Sequence, residues 1–208
     1  ISVWSRGVDH GQFNPGRRSL PWRRQHGIAD DALVVGFVGR LVVEKGIDIF
    51  VEVVQALEQR GVPHHVVVIG DGPARSLFEE HLPNATLTGF QMGDDLGQAV
   101  ASLDLLLNPS VTETFGNVTL EAMACAVPVV AANATGARTL VVDGVTGALL
   151  PPRDVAAYAN TIAALEADRQ RLAAFGAAAY ARALDFDWDR VNAAVVESYR
   201  AMLQGTRG

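Results

Sequence analysis

The sequence predicts an α/β fold: a parallel sheet covered by helices on both faces. Three observations carry that prediction. Short apolar runs alternate with helical patterns along most of the 208 residues. The runs are apolar throughout rather than at every second position, as strands buried on both faces are. Glycine-bearing loops follow them, with Gly39, Gly70 and Gly89 each standing just past a predicted strand.

The elements follow in order. Residues 33–38 (LVVGFV) read as a strand, and residues 46–60 as an amphipathic helix with Ile47, Phe50, Val51, Val54 and Leu57 at helical spacing. Residues 65–69 form a second strand, after which Pro73 opens a helix. A short strand at 85–88 precedes a helix at 94–102. The strand at 103–107 leads through a loop into a helix starting near Val118, and strands follow at 128–131 and 148–150. The tail holds three Ala-rich helices, at 154–166, 169–184 and 187–203. Asp187 is the expected N-cap of the last, with Trp188, Val191, Val195, Tyr199 and Met202 near helical spacing. Together they predict one Rossmann-like domain over residues 1–208. Right-handed crossovers place every strand-to-helix loop on one rim of its sheet.

Composition narrows the function. With 49% hydrophobic and 19% charged residues, the chain reads as globular with a buried sheet. A net charge of −6 argues against nonspecific nucleic-acid binding, and no polybasic patch offers itself to acidic lipid. The single cysteine, Cys125, permits no internal disulfide and reads as a small core residue in a reducing, cytoplasmic setting. No apolar run approaches the roughly 20 residues of a membrane span. The first residue is Ile1, and residues 1–4 read as a strand entering the turn Arg6-Gly7-Val8-Asp9, as expected of a domain from a longer protein. Residues 14–26, with Arg17, Arg18, Arg23 and Arg24, read as a solvated loop and short helix rather than an anion site.

The chemistry concentrates on the predicted rim. Glu113 and Glu121 flank a Phe115-Gly116 turn at the carboxyl end of a strand, where open α/β sheets hold ligands. The helix beginning there offers unpaired backbone N–H groups to an anion. After the first strand, Arg40 and Lys45 lie between Gly39 and Gly46; a planar fork and a point charge suit a diphosphate. The plainer alternative for Lys45 is a surface ion pair with Glu44 or a nearby acid. Glu121 stands among Leu120, Ala122 and Met123, a poor setting for a lone charge but a good one for a carboxylate meeting ribose hydroxyls. Phe90, Gln91 and Met92 follow the next strand and suit a flat base. Asp71 reads as turn chemistry, and Asp94 or Asp95 as a helix cap. His10, His26, His64, His65 and His81 share no helix face with carboxylates, so no metal site is expected, and neither a Gly-x-Ser-x-Gly nor a Walker pattern occurs. A molecule with a central diphosphate and hydroxyls on both sides, a nucleotide-sugar, fits these residues.

The motifs Gly39-Arg40…Lys45-Gly46, Gly70-Asp71-Gly72-Pro73, Gly89-Phe90, Glu113-x7-Glu121 and Asp143-Gly144-x-x-Gly147 occur here in this order. In that set the chain resembles the retaining family 4 glycosyltransferases of the GT-B fold, from Arg6-Gly7-Val8-Asp9 to Phe186-Asp187-Trp188. The resemblance implies the carboxyl-terminal, nucleotide-sugar half of such an enzyme, acting with an amino-terminal acceptor half. It implies that Arg40 and Lys45 hold the diphosphate and stabilise the leaving group without a metal or other cofactor. Glu121 then binds ribose, and Glu113 contacts the donor sugar with the amides around Phe115, Gly116, Asn117 and Val118. Within the family the chain looks most like bacterial lipid mannosyl- and sulfoquinovosyltransferases, which implies a lipid or saccharide acceptor, in the cytoplasm or at the membrane periphery. The last helix, residues 185–208, is expected to dock on the acceptor half. Guanine-binding members often carry an Asp just after the Gly89 turn, whereas Gln91-Met92-Gly93 stands here, so GDP and UDP both stay open. Ala126 replaces a Gly common in relatives, a change expected to touch packing more than chemistry. A non-catalytic nucleotide-sugar-binding module, and another GT-B enzyme such as an epimerase, remain as alternatives.

Overall fold

A computed structural model of the chain describes residues 6–205; the run expected as a strand at residues 1–4 lies outside the described residues, as do the side chains of Tyr199 and Met202. A six-residue helix, α1 (Leu20–Gln25), precedes the sheet. Six strands then follow: β1 (Val34–Val38), β2 (His65–Ile69), β3 (Thr86–Gly89), β4 (Leu105–Asn108), β5 (Val129–Ala132) and β6 (Gly147–Leu150). The helices between and after them are α2 (Ile47–Gln59), α3 (Arg75–His81), α4 (Gly93–Ala101), α5 (Asn117–Ala124), α6 (Thr135–Leu140), α7 (Val155–Ala167), α8 (Arg169–Ala183) and α9 (Trp188–Gly205). All strand pairs are parallel, in the order β3-β2-β1-β4-β5-β6. That is the Rossmann order, with its reversal between β1 and β4.

The continuous apolar strands have a direct cause. Val35, Phe37, Val66, Val68, Leu105, Leu107 and Val130 point into one apolar layer. Their neighbours Val34, Val67, Ile69, Leu106, Val129 and Ala131 point into the other. Side chains alternate across a strand, so a sheet covered on both faces needs apolar residues at every position. Phe37, Phe50 and Phe78 meet edge-on or tilted, with centroids 5.3 to 5.7 Å apart, joining β1, α2 and α3. Helix α8 spans both layers: Leu172 and Phe175 belong to the first, Ala179 and Ala183 to the second.

Caps agree with the sequence in part. The Asp154 carboxylate accepts from Ala157 N, Asp168 from Arg171 N, and Asp187 from the backbone N–H of Asp189 and Arg190. The expected cap at Asp94 or Asp95 is a correction. Met92 occupies the N-cap of α4 with no side-chain bond, and both aspartates lie in the first turn. There they complement the helix dipole, and Asp94 pairs with Arg17 at 2.9 Å.

The basic stretch is a second correction. It is a short helix, but it is not solvated throughout. Arg23 is fully buried. Its Nε donates to Ser102 O, and its Nη2 lies 2.9 Å from Asp104 Oδ2 without the alignment of a hydrogen bond. Arg18 donates to Leu103 O and to Asp104 Oδ1. Asp104 Oδ2 also accepts from Val34 N at 2.7 Å. The two arginines thus tie the segment before the sheet to the amino ends of β1 and β4. Helix α6 was not expected, because six residues are too few for a periodic pattern to emerge.

Candidate nucleotide-sugar site

Strands β1 and β4 are neighbours whose following loops diverge, so a crevice opens beyond their carboxyl ends. The loop after β1 carries Gly39, Arg40 and Lys45; the loop after β4 carries Thr112, Glu113 and Phe115, then Gly116 and α5. A cavity of about 380 Å³ lies between them, lined by Arg6, Gly39, Arg40, Lys45 and residues 112–118. A second cavity, of about 240 Å³, shares Val38, Gly39, Arg40 and Val118 with the first and is closed by Gly70, Asp71, Phe90, Gln91, Leu96 and Glu121.

Local backbone chemistry forms this crevice. Gly116 caps α5 with φ of 91°, a left-handed conformation that suits glycine, and no side chain caps the helix. The first intrahelical bond of the turn is Leu120 N to Gly116 O. The amides of Asn117 and Val118, both cavity-lining, are left without an intrahelical partner at the start of the helix, as donors open to an anion. A Cβ on Gly70 would meet Gly39 O at 1.9 Å, so glycine there lets the ends of β1 and β2 close together.

Side chains then set the electrostatics. Lys45 Nζ lies 2.5 Å from Glu113 Oε1, with both partners mostly buried. The acid paired with Lys45 thus comes from the loop after β4 and not from neighbouring Glu44. Thr112 Oγ1 donates to Glu44 O at 3.1 Å and lies 3.3 Å from Ser110 Oγ. Asn108 Nδ2 donates to Thr119 Oγ1 in α5. These bonds hold the Lys45 loop, the end of β4 and the first turn of α5 in register. Arg40 is exposed, and its guanidinium has no hydrogen bond or ion pair among the described residues.

Glu121 lies one helical turn behind the α5 opening. Its carboxylate has no hydrogen-bond partner among the described residues, and burial pushes its pKa up to about 7. An unpartnered, mostly buried carboxyl of this kind is destabilised when ionised unless donors reach it. Gln91 Nε2 donates to Thr88 O at 2.9 Å, which fixes its side chain at the edge of the second cavity. Phe90 lines that cavity while remaining 71% exposed. Met92, 68% exposed, lines neither cavity. Asp71 serves its turn, accepting from Gly72 N.

The crevice therefore gathers Gly39, Arg40, Lys45, Glu113, Phe115, Gly116, Asn117 and Val118 in one cavity, and Phe90, Gln91 and Glu121 in the next. The sequence reading assigned no role here to Thr112 or Arg6. Arg6 had one available signal, its place in the turn Arg6-Gly7-Val8-Asp9 at which the resemblance begins. Among the described residues no group of three or more His, Cys, Asp and Glu is arranged to hold a metal ion, and no helix is long and apolar enough to cross a membrane. Cys125 is buried, with its thiol pushed up to about 12 mainly by that burial, and stays out of the crevice.

Over 202 residues the chain is 36% identical to a GDP-mannose-dependent alpha-mannosyltransferase of Corynebacterium glutamicum, covering 96% of this chain and 47% of that protein. It is 36% identical over 195 residues to the sulfoquinovosyl transferase SQD2 of Arabidopsis thaliana, covering 90% and 37%. The Anabaena protein Alr3699/HepE, solved in complex with UDP, superposes with a TM-score of 0.83 at 29% identity, over 96% of this chain and 57% of that one. The chain spans about half the length, or less, of the curated relatives it matches. The family model for glycosyl transferases group 1 matches residues 32–168, from the start of the sheet through α7, and the chain belongs to that family.

Proposed function

We propose that the chain is the donor-binding half of a retaining glycosyltransferase that moves a sugar from a nucleoside diphosphate to a lipid or saccharide acceptor. One observation carries the reading: two adjoining cavities at the β1/β4 crevice share Gly39, Arg40 and Val118, one cationic and lined by helix amides, the other holding the unpartnered Glu121 carboxylate. A diphosphate fits the first and a ribose the second, with the base toward Phe90 and Gln91. The donor sugar then lies beside Glu113.

Departure of the nucleoside diphosphate builds negative charge on its terminal phosphate. Arg40, Lys45 and the amides of Asn117 and Val118 are fixed donors and charges aimed at that position, so no metal is required for the role. In the free chain Lys45 is held by Glu113 and must be shared with the phosphate once donor binds. The relatives differ in the nucleotide they are named or crystallised with, GDP-mannose in one and UDP in another, so both bases are candidates here. On this reading the acceptor site and cleft closure belong to an amino-terminal half, and the exposed face of Trp188 at the start of α9, 45% exposed, would pack against it. A cytoplasmic enzyme, at most peripheral to the membrane, fits this reading.

The test is calorimetric titration of UDP and GDP into the chain, beside the double variant Arg40→Ala/Lys45→Ala. The expected result is binding of one nucleotide that the double variant loses. Binding that survives loss of both cations contradicts the placement of the diphosphate, and binding of neither nucleotide contradicts the donor-site reading.

A further inference from the structure

We propose that Arg6 is a third cation of the donor site, contacting the terminal phosphate of a nucleoside diphosphate held at the crevice. The proposal rests on the donor-site reading above and extends it to a residue outside the sheet. Arg6 lines the cavity that holds Arg40, Lys45, Glu113 and the opening of α5. It does not line the cavity that holds Glu121. It therefore stands at the phosphate and sugar end of the site, away from the ribose end.

Charge in this cavity is unbalanced. Arg6, Arg40 and Lys45 face a single acid, Glu113, and Glu113 is taken up by Lys45. The guanidinium groups of Arg6 and Arg40 have no ion pair or hydrogen bond among the described residues. Two like charges lining one cavity repel, and an anion between them removes that cost. A terminal phosphate offers several oxygens to two planar forks, each able to bind in a bidentate manner.

The segment that carries Arg6 is anchored. Val8 N donates to Phe186 O at 2.8 Å, and Val8 forms an isolated parallel bridge with Asp187. Gly7 lies so close to Trp188 that a Cβ would come within 2.7 Å of its ring. Asp9 Oδ1 accepts from Gly11 N and Gln12 N, closing the turn. Phe186 in turn meets Phe115 edge-on, with centroids 6.3 Å apart, and Phe115 belongs to the donor loop. The start of the described chain, its last helix and the donor loop thus form one wall, and Arg6 is held on it facing the cavity.

The test compares UDP, GDP, UMP and GMP by calorimetry on the parent chain, Arg6→Ala and Arg6→Lys, with melting temperatures recorded for each. The expected result is an affinity for the bound diphosphate about tenfold weaker in Arg6→Ala, with monophosphate affinity changed by less than about twofold. Arg6→Lys recovers part of the loss, and the melting temperature stays at the parent value. Equal losses on mono- and diphosphate, no loss at all, or a loss that follows a lowered melting temperature each overturn the role of Arg6 and leave the donor site standing. Failure of the parent chain to bind any of the four overturns both.

Discussion

Lys45 and Glu113, 68 residues apart in sequence, form an ion pair of 2.5 Å across the crevice between the β1 and β4 loops. The pair places a cation and an acid in one cavity, where the proposed donor site would set the diphosphate beside the sugar. It also means that an incoming phosphate competes with Glu113 for Lys45. Replacing Glu113 by Gln keeps the shape of the loop and frees the ammonium. The expected outcome for Glu113→Gln is nucleoside diphosphate affinity tightened about fivefold, about 1 kcal/mol for a partly exposed pair. If the proposed function holds, the same substitution in the full-length protein is expected to lower turnover by 100-fold or so, because the proposal sets Glu113 beside the donor sugar. Calorimetry and initial-rate assays read the two effects. Unchanged turnover would favour a binding role over a catalytic one.

Glu121 yields a prediction in pH. Burial raises its carboxyl from the ordinary 4.5 to about 7 in the folded chain. Between those values the folded state binds more protons than the unfolded one, so stability falls as pH rises from about 4.5 to 7 and levels off above. The full penalty is about 3 kcal/mol at pH 8. Glu121→Gln is expected to remove this slope and to be the more stable chain at pH 8, by denaturant titration at pH 5, 6, 7 and 8. Ligand runs the other way. Hydroxyls that donate to the ionised carboxylate favour it, so nucleotide affinity is expected to rise more steeply through pH 7 in the parent than in Glu121→Gln, the ionisation of the terminal phosphate at about pH 6 being common to both. Parallel stability profiles for the two chains would refute the raised pKa.

The sheet was legible because its signal repeats: short strands, five of them apolar runs, each followed by a loop and a helix, which makes the sheet parallel, whereas the strand order is seen only in the structure. The charged crevice was legible for the same reason, since every loop after a strand must reach one rim. Pairings across that rim were not. Lys45 has Glu44 beside it in sequence, and only the fold brings Glu113 nearer. Arg23 was misread because its polar partners, Ser102 O and Asp104, lie about 80 residues away, and no local pattern marks an arginine whose partners are that remote.

The Arg23–Asp104 contact makes its own prediction. Asp104 answers Val34 N, Arg18 and the fully buried Arg23 at once. Asp104→Ala leaves a buried guanidinium without its counter-charge, which typically costs 3–5 kcal/mol. The expected outcome is a loss of about that size in chemical denaturation. The double variant Arg23→Met/Asp104→Ala is expected to recover at least half of it, because the charge itself is gone. A double variant no better than the single would show that Asp104 acts through Val34 and Arg18 alone.

Ala126 supplies the last. It follows α5 in the left-handed region, with φ of 57°, where a Cβ crowds the following carbonyl. The chain turns there between the end of α5 and the run Val127-Pro128 that leads into β5. Ala126 O is itself packed closely on α8, within 2.4 Å of where a Cβ on Gly176 would stand. Glycine removes the crowding and gives up one methyl at the rim of a surface cavity. Against that stands the greater freedom of glycine in the unfolded chain, which is smaller than the strain relieved. Ala126→Gly is therefore expected to stabilise the chain by about 1 kcal/mol and raise its melting temperature by about 2–4 °C. Ala126→Val, branched at Cβ, is expected to shift it the opposite way by more. A melting temperature lowered by Ala126→Gly would mean that the methyl packs better than its backbone conformation costs.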